Sequence, residues 1–152
     1  MTAWKANEHI DFDFFDAHDI NTALDTSQPD TIRRRLRERL ANTKQAIVLL
    51  SQAAKNKSSR SNSFFYYELE VIKSLELPVV FSNLNGSRNV QNSLIPAGLA
   101  SPYYTVSVSF QPKIIRYALD GYVQEFEQNL KSGKRRTGPH YYEDSHYQKL
   151  GL

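Results

Sequence analysis

The sequence contains no cysteine, and methionine and tryptophan occur only once each in its 152 residues. The lack of cysteine excludes disulfide bonds, thiolate nucleophiles and cysteine-ligated zinc. No apolar run approaches the roughly 18 residues needed to span a bilayer, and the amino-terminal residues 1–7 contain no apolar signal core. We therefore expect a cytoplasmic protein that does not act at a membrane.

Aromatic side chains are abundant, with nine Tyr and eight Phe, and the apolar residues form short runs between polar stretches. This composition is globular, and the length suits one domain. The net charge is +3, and the excess of basic residues is concentrated in two segments, Arg33 to Arg39 and Lys131 to Arg136. A surface helix needs a polar side, so a solvated face is the favoured interpretation of the first group, and nucleic-acid binding is the weaker alternative.

Apolar periodicity predicts strands alternating with helices. The predicted strands are 11–15, 46–50, 78–82 and 105–109, and the predicted helices are 31–43, 63–76 and 112–130. Residues 52–62 are interpreted as an exposed loop, and residues 131–152 as a basic, aromatic tail, flexible or loosely docked, after a domain of residues 1–130. The order predicts an α/β fold with an open, mostly parallel sheet flanked by helices, in which 105–109 is the candidate edge strand.

Polar residues follow three of these predicted strands. In open parallel sheets, ligands bind beside the carboxyl ends of the strands. The residues at those ends are Asp16, Ser51 and Asn83. The sequence therefore indicates a ligand-binding edge that includes these three side chains.

One carboxylate lies among apolar residues. At about 100° per residue, the helical period places Glu68 in the middle of the apolar side of the helix 63–76. An ionised carboxylate buried there costs several kcal/mol unless it is paired, protonated or facing a polar cavity. Two interpretations stay open: Glu68 pairs with an arginine or a tyrosine hydroxyl, or it lines a cleft.

The residues around Glu68 also resemble a known family. Residues 63–72, SFFYYELEVI, followed by LPVV at 77–80, are similar to the aromatic-x-x-x-Glu-Ile/Leu helix and the next strand of TIR-like proteins. FFDA at 14–17, AIVLLS at 46–51 and LIP at 94–96 follow the family's order and spacing. The resemblance extends over residues 1–130 and points to the TIR-like subunit of Thoeris antiphage-defence systems, which has a flavodoxin-like fold.

This resemblance implies an activity. Such a protein cleaves NAD to nicotinamide and a cyclic ADP-ribose-type messenger, which activates an effector; NAD is the substrate, and neither a cofactor nor a metal ion is implied. Glu68 matches the family's catalytic glutamate. The resemblance places Asp16, His18 and Asp19 in a loop that borders the nucleotide cleft, and Ser51 at the end of the next strand. Asn83 joins this set of substrate-binding candidates as the residue at another strand end, and a loop-capping function of Asp16 stays open as the alternative.

The sequence departs from the family at its beginning. The family's first strand would precede Trp4, and no such segment is present. In a flavodoxin-like sheet that strand lies between those predicted at 11–15 and 46–50, so its absence would expose edges that favour homo-oligomers. A TIR-like protein-interaction module without catalytic activity therefore stays open as the alternative function.

Overall fold

A computed structural model describes residues 28–101 and 103–152. The strand predicted at 11–15 and the candidate residues Asp16, His18 and Asp19 lie outside these ranges. In the described part the sheet consists of strands β1 Ala46–Leu50, β2 Val79–Asn83, β3 Thr105–Ser109 and β4 Pro139–Tyr141. The strands are all parallel, and their order in the sheet is their order in the chain. The predicted α/β fold with an open parallel sheet is confirmed.

Six helices connect and flank the described strands. They are α1 Pro29–Leu40, α2 Gln52–Ser58, α3 Phe64–Ser74, α4 Ala97–Ala100, α5 Pro112–Lys131 and α6 Asp144–Lys149. Proline occupies the first turn of α1 and of α5, where a missing backbone N–H costs nothing. Ser63 begins α3, because its hydroxyl accepts a hydrogen bond of 3.0 Å from the Tyr66 N–H.

The sheet has two differently covered faces. Val48, Leu50, Val79 and Phe81 pack against α1, α3 and α4, and we name this side the α3 face. The alternate residues of the same strands point the other way. Val80, Val106 and Val108 pack there against α5, and we name this side the α5 face. Both faces are thus covered, as parallel sheets require.

Two regions differ from the sequence expectations. Residues 52–62 were expected to form a loop, but they begin with α2, which Ser51 caps. The tail was expected to be flexible or loosely docked, but it contributes β4 and α6. β4 pairs with β3, so the expectation of an edge position for β3 is also wrong. Short polar segments carry weak periodicity, and their structure here depends on long-range contacts.

Candidate functional site

Glu68 lies on α3, where periodicity placed it. Its side chain is nearly buried, with a relative exposure of 5%, between the buried Tyr67 and Leu69. The helix packs against α1, α2 and α4, so the carboxylate is on the side of α3 that faces the rest of the fold. The glutamate is therefore an interior residue in a helix whose other buried members are apolar or aromatic.

Arg33 joins α1 to α3 beside this glutamate. Its Nε donates a 3.0 Å hydrogen bond to Oε2 of Glu70, and its guanidinium lies 4.8 Å from the ring centroid of Tyr67. The hydrogen bond to Glu70 raises the pKa of Arg33 above its ordinary value. Arg34 and Arg35 are exposed, in keeping with a solvated face. One arginine of this face thus fixes the helix that carries Glu68.

Ser51 directly follows β1 and begins α2. Its hydroxyl oxygen accepts a 3.1 Å hydrogen bond from the Ala54 N–H. From the same helix, Lys55 donates a 2.5 Å hydrogen bond to the carbonyl oxygen of Ile95. The Ser51 hydroxyl therefore has a structural function as a helix cap, and a hydroxyl with a second free lone pair can still accept or donate elsewhere.

Asn83 ends β2 and organises the loop that follows. The side chain is fully buried, and its amide nitrogen donates to the carbonyl oxygens of Ser87 at 2.8 Å and of Asn89 at 3.0 Å. Within the described residues, the Oδ1 atom of Asn83 has no hydrogen-bond partner. Asn83 thus holds the loop through its amide nitrogen, while its amide oxygen remains a buried acceptor.

The carboxyl end of β3 is closed by the tail. The backbone N–H of Ser109 donates a 3.1 Å hydrogen bond to the hydroxyl oxygen of Tyr147, which is fully buried. Arg88 lies over the Tyr147 ring at 4.4 Å and donates to Oδ1 of Asp144 at 2.9 Å. Helix α6 is therefore anchored at the strand ends by one tyrosine and one arginine.

The register brings part of the predicted set to one edge. Leu50 pairs with Asn83, and Asn83 pairs with Ser109, so Ser51 and Asn83 lie at the same carboxyl edge of the sheet. A common site of these residues with Glu68 stays a prediction. Ser109 and Tyr147 were not predicted from the sequence, although Tyr147 lies in the aromatic tail segment.

Between residues 28 and 152, with the exception of residue 102, no three His, Cys, Asp or Glu side chains are grouped so that they could hold a metal ion. Of the helices that the structure describes, none is long and apolar enough to cross a membrane.

A family model matches the amino-terminal part of the chain. Residues 1–62 match the family model of the Thoeris protein ThsB, TIR-like domain. The matched segment includes α1, β1 and α2, and it ends six residues before Glu68. No curated protein matches the chain. The match over residues 1–62 confirms the resemblance seen in the sequence: this part of the chain is similar to the TIR-like domain of the Thoeris protein ThsB.

Proposed function

We propose that the chain cleaves the N-glycosidic bond of NAD, with Glu68 as the catalytic carboxylate. The observation that carries this proposal is the burial of Glu68, at 5% exposure, in a chain whose first 62 residues match a TIR-like domain. A nearly buried carboxylate is costly to maintain for stability alone, which favours a functional reason for its position. The cytoplasm, where NAD is available, is the proposed location.

The chemistry needs one negative charge near the ribose. When the bond between the anomeric carbon and the nicotinamide nitrogen breaks, the bonding electrons leave with neutral nicotinamide and positive charge develops on the ribose. A carboxylate held in a dry environment stabilises that charge more strongly than water does. Capture of the anomeric carbon by a nucleophile of the same ADP-ribose unit would give a cyclic messenger, whose proposed receiver is an effector protein.

The remaining predicted residues would bind the substrate. Ser51 and Asn83 share the carboxyl edge of the sheet, and each offers an oxygen atom suited to a ribose hydroxyl. Asp16, His18 and Asp19 belong to the same proposal on the basis of the resemblance. Glu68 and these side chains would together bind one nucleotide, with neither a cofactor nor a metal ion.

The test compares two neighbouring carboxylates on one helix. Glu68→Gln keeps the shape and hydrogen-bonding capacity of the side chain and removes its charge, so nicotinamide release should fall by about 100-fold or more. Glu70→Gln is the control, because Glu70 is half-exposed and bonds Arg33 on the surface. Its nicotinamide release should stay within about twofold of the unsubstituted protein, since exposed ion pairs contribute little. Circular dichroism of both variants checks that the fold is retained.

The outcome distinguishes the two function classes. Mass spectrometry of the products from NAD would identify a cyclic product by its loss of nicotinamide without gain of water. If the unsubstituted protein releases no nicotinamide, the catalytic proposal fails and the non-catalytic interaction module takes its place. An active Glu68→Gln variant would remove the catalytic assignment of this residue while leaving the activity.

A further inference from the structure

We propose that the chain has a second ligand site, which takes an uncharged molecule with neighbouring hydroxyl groups, such as a nucleoside or a sugar. The site is a cleft between the loop after β2 and the segment around β4, and we name it the tail cleft. Its lining residues are Val90, Asn92, Pro139, His140, Tyr141 and Glu143. Its volume of about 460 Å³ lies in the range of small-molecule pockets. The proposed NAD site residues do not line it.

A row of buried hydroxyl groups lies next to this cleft. Thr105, Ser107 and Ser109 alternate along β3, and all three are fully buried. Their hydroxyl oxygens have no hydrogen-bond partner within the described residues. Three such atoms together are costly, because each buried polar atom without a partner costs about 1–3 kcal/mol. Their grouping points to a ligand or to ordered water that satisfies them.

The sheet register connects the row to the cleft. Thr105 pairs with Pro139, and Ser107 pairs with Tyr141. Paired residues in neighbouring strands point to the same face. The cleft residues Pro139 and Tyr141 on β4 therefore lie beside the hydroxyl row on β3. The two strands are about 4.8 Å apart.

The two walls of the cleft are held in place by the protein itself. Asn83 fixes the loop through Ser87 and Asn89, and Gln91 donates a 2.8 Å hydrogen bond to the Ser87 hydroxyl. Arg88 then joins this loop to Asp144 in the tail. A site of this kind needs little ordering when a ligand binds, which favours affinity.

The charges of the cleft determine the ligand class. Of the described residues that line it, none is Lys or Arg, and Glu143 contributes a carboxylate. A phosphate would meet repulsion there, whereas hydroxyl groups can donate to a carboxylate and to the Asn92 amide oxygen. The Tyr141 ring, which is 52% exposed, offers an apolar surface for a sugar ring or a base.

Isothermal titration calorimetry with adenosine, glucose and AMP tests the proposal. Adenosine or glucose should bind, and the one that binds shows whether the ligand is a nucleoside or a sugar. AMP should bind at least about tenfold more weakly than adenosine, and Glu143→Gln should reduce that difference. If neither adenosine nor glucose binds, or if AMP binds as tightly as adenosine, the proposal is wrong.

Substitutions locate the binding. Asn92→Ala, on the exposed loop that lines the cleft, should weaken binding by about tenfold, the effect of one hydrogen bond. Asn56→Ala, an exposed residue of α2, is the control and should bind normally. Unchanged affinity in Asn92→Ala would place the ligand elsewhere and overturn the proposal. Glu68→Gln should keep this binding, so failure of the NAD proposal and failure of this one are separable.

Discussion

Replacement of Tyr147 by phenylalanine would remove one buried hydroxyl and little else. The hydroxyl oxygen accepts the Ser109 N–H at 3.1 Å, and both residues are fully buried. Without this acceptor the peptide N–H loses its partner and remains away from water. We expect the free energy of unfolding to fall by about 1–3 kcal/mol. For a chain of this size, a loss of about 2 kcal/mol lowers Tm by roughly 4–8 °C.

Urea denaturation measures this difference. The control is Tyr117→Phe, which removes the same atom from a ring that is 41% exposed and should change stability by less than about 0.5 kcal/mol. Amide hydrogen exchange adds a local reading, because protection of the Ser109 N–H should fall in Tyr147→Phe more than in the control. Equal stability of the two variants, with unchanged exchange at Ser109, would refute the anchoring of α6 by Tyr147.

Three further substitutions test the packing. Burial raises the pKa of Tyr122 above its ordinary value, so the neutral hydroxyl stabilises the fold fully below about pH 10 and this stabilisation is lost as the pH rises further. The midpoint of urea denaturation should therefore fall at alkaline pH, and it should fall less in Tyr122→Phe. Arg33→Ala should destabilise the protein more than the exposed Arg34→Ala, and salt should narrow the gap between their melting temperatures. Asn129→Ala removes the hydrogen bonds of 2.9 and 2.6 Å to the Arg136 backbone, so calorimetry should show a loss of about 1–3 kcal/mol; no loss would contradict a structural function of this turn.

The sequence predicted the elements whose residues carry a strong local signal. β1 is a continuous apolar run, and α5 combines a proline start with an apolar stripe over five turns, so both were located to within a few residues. The helical period placed Glu68 in the middle of the apolar side of its helix, and the side chain has a relative exposure of 5%, because the period alone determines the side on which a residue lies.

Long-range contacts explain what the sequence did not reveal. β4 has only three residues, and it is a strand because β3 offers it an edge to pair with. Tyr147 lies in a polar segment, and its ring contacts Arg88, which is 59 positions away in the chain. The cleft beside β4 could not be predicted, since both of its walls come from segments without periodicity.

The opposite placement of α3 and α5 determines the handedness of the connections. The strands follow one another across the sheet in chain order, yet the chain passes along the α3 face between β1 and β2 and along the α5 face between β3 and β4. Two crossover connections that advance in the same direction across a sheet, but pass over opposite faces of it, have opposite handedness. One of them is therefore left-handed, a class that makes up only about 2% of such connections.

The natural twist of the strands opposes a left-handed crossover, so specific contacts must hold it. If the connection through α3 has the common right hand, the rare one is β3–α5–β4. Asn129 binds the backbone of Arg136 at the turn of that connection, three residues before β4 begins. Because a left-handed return gains least from the intrinsic twist of the strands, β4 depends on this turn and on the contacts of Tyr147 and Arg88 that anchor α6.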